Sequence, residues 1–165
     1  MKGETKMNTP KNPVIIEDAK IIFPDFTGQR GKFNDIPKFG ILLDNELAEK
    51  LKNDGWNIKY GKSKDPEDDE GYYFIEVKIS FKTKKPIMVI IGTNNKPISV
   101  EEHNLKLMET VTIKKADVEF RPYNYDFAGK KGVSAYLNTL YVWRQESRLE
   151  EKYAWLYEDD ETDNG

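Results

Sequence analysis

Cysteine is absent from the 165 residues, and His103 is the only histidine. The sequence therefore has no disulfide, thiolate metal site or catalytic thiol. His103 lies in a polar segment where a solvated position is expected, so it supports neither a triad nor a histidine metal site. The phosphate-binding patterns GxxxxGK[ST] and GxGxxG are also missing. We predict a protein that is not an enzyme and needs no cofactor; a nuclease that holds its metal through carboxylates alone is the alternative.

Long apolar runs are absent too, because no stretch of eighteen apolar residues occurs. A transmembrane helix is therefore not expected. The opening residues MKGETKMNTPKNP have no apolar core behind their lysines, so a secretory signal is not expected either. Together with the lack of cysteine, these features indicate a cytoplasmic protein without membrane association.

Charge is unevenly distributed along the chain. The formal net charge is −3, but residues 158–165 hold five acidic side chains and no basic one, which leaves +2 for residues 1–157. A second acidic block, residues 64–70, has five acids and one lysine. Residues 114–144 contain six basic side chains against three acidic ones. The pattern indicates a basic body with an acidic tail.

The length fits one domain. We predict a mobile segment at residues 1–13, a folded domain at 14–157 and a disordered acidic tail at 158–165. Residues 45–54 carry the clearest helix pattern: Asp44 or Asn45 caps it, Leu47 and Leu51 share a face, and Gly55 follows as a left-handed stop. A second, short helix is predicted at residues 99–109, with Ser99 as its cap.

Short strands dominate the remaining pattern. The segment GYYFIEVKISF alternates cleanly, PIMVIIG is fully apolar, and two long strands are joined by AGKKG. Alternation of strands with helices is scarce, which argues against a parallel α/β sheet. We predict a mostly β fold: a five-stranded antiparallel barrel with one inserted helix and an extra hairpin.

Seven aromatic rings and four basic side chains lie between Phe120 and Arg144. Neither face of the two predicted strands is purely apolar, so at least two rings should be accessible. Rings are also good strand formers, and a core position is the alternative for any single one. Accessible rings beside cations favour single-stranded nucleic acid, because bases stack on rings while Lys and Arg neutralise phosphates. The candidates are Arg121, Tyr123, Tyr125, Lys130, Lys131 and Tyr136.

Three further segments interleave rings with basic residues. The segment FPDFTGQRGKF runs from the end of a predicted strand, about Asp18 to Phe26, into the loop TGQRGKFNDIP. It offers Phe26, Arg30, Lys32 and Phe33 around two glycines, as a binding rim or as an ordinary hairpin loop. The segments WNIKYGK and VKISFKTKK add the ring of Trp56 and three candidate cations, Lys59, Lys78 and Lys82. For Lys78 and Lys82, the alternative is a row of solvated lysines that protects a sheet edge.

The chain resembles the single-stranded DNA-binding proteins of tailed bacteriophages in the order of four segments: FPDFTGQRGKFN, FGILLDNELAEKLKNDGWNIK, YYFIEVKISF and FRPYNYDFAGKKGVSAYLNTLYV. An acidic end follows in both. The resemblance covers Asp18–Gly165, and its most specific pieces are LLDNELAEKLKNDGWN and RPYNYDFAGKKGVSAYL. It implies an oligonucleotide/oligosaccharide-binding (OB) barrel that binds and protects single-stranded DNA, whatever its sequence, in phage replication, recombination or repair inside the infected bacterium.

Several partners stay open at this point. RNA is an alternative ligand because stacking does not read the 2′-hydroxyl. The acidic tail is a candidate arm for replication or recombination proteins, or a competitor of nucleic acid for the basic groove. If the rings instead form a protein interface, the protein is an interaction module or a homodimer without affinity for oligonucleotides.

Overall fold

The computed structural model describes residues 10–29, 36–62, 67, 70–82, 84–92, 96–146, 149, 152–153 and 156. Within these residues the chain forms nine strands, an α-helix after the third strand and a long 3₁₀ helix, and Leu149, Lys152 and Leu156 are also helical. The strands are β1 (Val14–Ala19), β2 (Ile21–Asp25), β3 (Lys38–Leu43), β4 (Ile58–Lys62), β5 (Gly71–Lys78), β6 (Ile87–Ile91), β7 (Ile98–Val100), β8 (Ile113–Phe127) and β9 (Lys130–Arg144). Helix α1 spans Asn45–Asn53 between β3 and β4, and the 3₁₀ helix spans Glu102–Thr110.

All nine strands belong to one curled sheet, ordered β1-β8-β9-β5-β3-β2, with β4 beside β5 and β6 between β7 and β9. The mostly β, OB-like fold with one inserted α-helix and a long hairpin is therefore confirmed. The predicted strand count and the all-antiparallel pairing were wrong, because β5 and β6 both run parallel to β9. With fifteen residues, β9 is long enough to pair with two successive strands along one edge.

Helix α1 follows the predicted pattern closely. The Asp44 carboxylate accepts a hydrogen bond of 2.7 Å from the backbone N–H of Leu47, which satisfies one of the free donors of the first turn. Ala48 and Leu51 are buried against the sheet. Gly55 follows with φ +104°, a left-handed conformation that glycine adopts without steric cost. These local signals are enough to begin and end the helix at nearly the predicted residues.

The second predicted helix differs from expectation. Ser99 does not cap it, because Ser99 pairs with Val89 in the β6–β7 ladder. The 3₁₀ helix begins after Glu101, whose backbone N–H donates to the Asn104 side chain at 2.6 Å. None of the helices in the described part of the chain is long and apolar enough to cross a membrane.

Strand β5 separates the core from an outer face. Ile75 and Val77 are buried in the core, where they join apolar side chains from β3, β6, β8, β9 and α1. Alternate residues point the other way, so Tyr72, Phe74, Glu76 and Lys78 lie together on the opposite surface of the strand. We call this surface the outer face.

A bulge at Asn138 divides β9 into two halves. Glu119 of β8 pairs with Thr139 and Phe120 pairs with Leu137, so Asn138 has no direct partner. Before the bulge the odd-numbered residue Ala135 is buried, and after it the even-numbered Val142 is buried. The extra residue therefore reverses which alternate positions face the core.

Candidate nucleic-acid interface

An open groove of about 250 Å³ lies on the outer face, where β4, β5, β8 and β9 meet. We call it the tyrosine groove. Three tyrosines, two lysines and one glutamate supply most of its functional groups. Its lining is Asn57, Lys59, Glu76, Lys78, Tyr123, Tyr125, Ser134, Ala135 and Tyr136.

The tyrosine rings present accessible surface to this groove. Tyr123 is 57% exposed, and its ring centroid lies 5.4 Å from that of Tyr136 with the planes at 53°. Tyr125 lies against Gly132, its direct partner on β9, where a methyl group would overlap the phenol ring. A ring that rests on a glycine keeps its other surface available, which is the geometry that base stacking requires.

The β8–β9 hairpin places these rings. Its turn consists of Ala128 (φ +54°) and Gly129 (φ +81°), and two positive φ values are typical of a two-residue type I′ turn. The turn is thus shorter than the predicted AGKKG loop, and it fixes the register in which Tyr123 pairs with Ser134. Ser134 is small, so the ring of Tyr123 remains uncovered on that side.

The groove also carries both signs of charge. Lys59 donates to the Glu76 carboxylate at 3.4 Å, and both side chains remain partly exposed. Lys78 is half-buried and lies on the same face of β5 as Glu76. In the sheet it is paired with Tyr136 of β9. Two lysines and one carboxylate leave a local excess of positive charge that attracts phosphate. The ion pair with Glu76 uses one of the hydrogen-bond donors of Lys59.

Arg121 has a positioning role in the fold. Its Nη1 donates to the backbone carbonyl of Leu137 and to the side-chain oxygen of Asn138, both at 3.0 Å. The guanidinium also lies 5.7 Å from the centre of the Tyr136 ring. Arg121 thus holds the bulge and supports the ring from one side, whereas the sequence suggested only a phosphate contact.

Three other predicted cations lie outside the groove lining. Lys130 and Lys131 are exposed on the first residues of β9, and Lys131 is 4.0 Å from Asp126. Lys82 is exposed beyond the end of β5, so it does not form the predicted stripe with Lys78 along one strand face. All three remain candidates for contacts with the phosphates of a nucleic-acid strand that extends beyond the groove.

Trp56 was wrongly predicted to stack on bases. Its side chain is only 4% exposed and meets the Phe120 ring edge-on at 5.0 Å in the core. The residue follows the helix stop at Gly55, and its N–H bonds back to the Leu51 carbonyl, which turns the indole inward. The predicted loop residues Arg30, Lys32 and Phe33 lie outside the described residues.

Sequence reasoning missed four groove residues: Asn57, Glu76, Ser134 and Ala135. Glu76 could have been found, because strict alternation along β5 already placed it beside Lys78. Asn57 could not have been found in this way, because it is brought to the groove by a hydrogen bond from its backbone N–H to the carbonyl of Val133, a residue distant in sequence. Long-range pairings of this kind bring the groove together.

Exposed rings and lysines on the face of an OB-like sheet define a single-stranded nucleic-acid-binding type of domain. Residues 4–163 match the family of phage ssDNA-binding domains. The chain therefore belongs to this family. No curated protein matches the sequence.

Solved structures share the fold. The single-stranded DNA-binding protein of bacteriophage Enc34 is similar over 87% of this chain and 89% of its own, with 13% identity and a TM-score of 0.52. The same phage protein in complex with ssDNA is similar over 82% of this chain and 88% of its own, with 12% identity and a TM-score of 0.52. At such low identity these similarities describe the architecture, and they leave open which residues bind.

Proposed function

We propose that this protein binds single-stranded DNA without reading its sequence, by stacking bases in the tyrosine groove. The observation that carries the proposal is the grouping of Tyr123, Tyr125 and Tyr136 around Lys59 and Lys78 on one open face. Every base has a ring surface to stack, so such a site tolerates any sequence. The lysines meet phosphates, and Lys130 and Lys131 extend the positive surface along the hairpin. The bound strand would be protected during phage replication, recombination or repair in the host cytoplasm.

This role needs no catalysis. Binding alone removes secondary structure from single strands and shields them, and the stacking and charge neutralisation that the groove offers are sufficient for that. The family membership supports this reading, as does the ssDNA complex of the Enc34 protein. Incubation of DNA with the protein and magnesium should leave the strand intact.

Fluorescence anisotropy of a labelled thymidine 16-mer, near the upper site size of about 16 nucleotides for one OB fold, tests the binding proposal. Four lysine–phosphate contacts predict that log K falls against log salt with a slope of about −3, because each contact to a single strand contributes about −0.7. Duplex of equal length should bind more weakly, since its bases are already stacked. Absence of binding at low salt would favour a protein interface, and an equal affinity for the uridine 16-mer would extend the ligand to RNA.

The domain division and the acidic end belong to the same proposal. We take residues 14–157 as the binding domain and 158–165 as an arm that competes with DNA or recruits replication or recombination proteins. Removal of residues 158–165 takes away five negative charges and should tighten binding at low salt. Unchanged affinity would remove competition and leave recruitment as the role of the arm.

A further inference from the structure

A second group of rings lies on the outer face, away from the tyrosine groove. Phe23 of β2 meets Phe74 of β5 edge-on at 5.3 Å and Tyr72 at 6.2 Å, while Tyr72 and Phe74 are 6.0 Å apart. Phe23 is 57% exposed, which is unusual for a phenylalanine. We call Phe23, Tyr72 and Phe74 the ring cluster.

Phe23 is exposed at a cost to its backbone. Its φ of +48° places a bulky side chain in the left-handed region, where residues other than glycine are uncommon. The β2–β3 register shifts between Ile22 and Asp25, at the same point. Such a conformation costs energy and gathers at functional sites, so an exposed ring held in this way suggests a use.

Two glycines form the floor beneath the cluster. A side chain at Gly61 would lie 2.6 Å from the Tyr72 ring, and one at Gly40 would lie 3.3 Å from the Phe74 ring. Both rings therefore rest on bare backbone, as Tyr125 rests on Gly132 in the tyrosine groove. The two ring groups are therefore built alike: a glycine lies beneath a ring, and the rings of Tyr72, Phe74 and Tyr125 all remain partly exposed.

The ring cluster and the tyrosine groove occupy the same face of β5. Tyr72, Phe74, Glu76 and Lys78 alternate along it, and Lys78 follows Tyr72 by six positions, which is about 20 Å of strand. Lys59 pairs directly with Phe74 and also lines the groove, so a cation stands between the two ring groups. A single strand that leaves the groove along β5 would meet Lys59 and then the rings.

We propose that the ring cluster is a second stacking site for the same DNA strand, so that one strand runs from the tyrosine groove along β5 to Phe23. This rests on the proposed function of the groove. Continuity of the face and the intervening lysine favour the strand as occupant over a protein partner, which would not require cations at this position. The path gives the protein two stacking sites joined by a phosphate contact.

Phe23→Ala tests the inference with two thymidine oligomers, a 4-mer and a 16-mer, which mark the approximate limits of about 4–16 nucleotides for one OB fold. The 16-mer should bind about tenfold more weakly to the variant, because one stacked base is lost. The 4-mer should bind unchanged, since the groove alone holds it. Tyr141→Ala is the matched control: its ring is 38% exposed on β9 but lies outside both ring groups.

Unchanged affinity of a folded Phe23→Ala variant for the 16-mer would overturn the inference, and so would equal weakening for both oligomers, which would mean that Phe23 only supports the groove. Should neither oligomer bind the unaltered protein, the proposed function itself fails. Photocrosslinking of the unaltered protein avoids any folding defect. With 5-iododeoxyuridine at either end of the 16-mer, one oligomer should crosslink to the peptide of Phe23 or Tyr72; adducts confined to groove tyrosines would contradict the path.

Discussion

The two halves of β9 contain similar residues but place them in different surroundings. Before the bulge, Tyr136 faces the groove on the outer face while Leu137 enters the core. After it, Leu140 is fully buried and Tyr141 is exposed away from the groove. Asn138, which has no direct partner on β8, separates a first half, which we propose as the binding half, from a second, structural half. The two halves differ in the strand that lies beside each of them: β5 with Lys78, or the apolar β6.

A truncation in the structural half should have the largest effect on stability. Leu140 has no exposed surface, so Leu140→Ala leaves a cavity and should lower the free energy of unfolding by about 2–5 kcal/mol. Urea denaturation followed by circular dichroism measures this loss. Ile87→Ala on neighbouring β6 is the control, since Ile87 is 58% exposed and should cost far less. Equal losses would mean that burial does not distinguish this half.

The binding half should show the opposite profile. Tyr136→Ala should weaken binding of the thymidine 16-mer by about 1–3 kcal/mol, because a stacked base loses its ring. Its melting temperature should stay near that of the unaltered protein. Tyr141→Ala should leave affinity unchanged, although it removes the same kind of ring from the same strand. A Tyr136→Ala protein that binds normally would remove this ring from the site.

Arg121→Lys tests the connection between the halves. Lysine keeps the charge but loses the guanidinium that bonds Leu137 and Asn138, so stability should fall by about 1 kcal/mol. Affinity should fall as well, because the Tyr136 ring loses its support. If Arg121 instead acts only on phosphate, Lys will preserve stability and the slope of binding against salt. Denaturation and anisotropy on one preparation separate the two roles.

Glu76→Gln should have the smallest effect and the opposite sign. Removing the carboxylate frees Lys59 for phosphate and takes a negative charge from the groove, so DNA binding should tighten by at most about 1 kcal/mol. Glu49→Gln on α1 makes the same charge change on an exposed helix surface and is the control. Equal tightening in both variants would indicate net charge rather than groove geometry.

Local signals in the sequence predicted much of this fold. Asp44 and Gly55 mark the ends of α1, and alternation along GYYFIEVKISF places Ile75 inside and Lys78 outside. Rings beside cations made Lys59, Lys78 and the three groove tyrosines candidates; the structure brings them into one groove, and their contact with DNA stays a prediction. Each of these signals depends on residues that are close in sequence.

The errors have a different origin, because they depend on pairings between distant segments. The sequence near Asn138 carries no signal for a bulge. The side chains of β9 therefore could not be assigned to the core face or the outer face from alternation alone. Trp56 is buried only because the chain turns back over Phe120. Phe23 falls within the strand that the sequence predicts from about Asp18 to Phe26, and its contacts with β5 appear only in the folded sheet.

Hydroxyl-radical footprinting of the protein with and without the thymidine 16-mer tests the central claim most directly. If DNA stacks in the tyrosine groove, oxidation of Tyr123 and Tyr136 should fall sharply on binding, while that of Tyr141 stays unchanged. A bound complex in which Tyr123 and Tyr136 react as fast as in the free protein would contradict the account and place the DNA elsewhere.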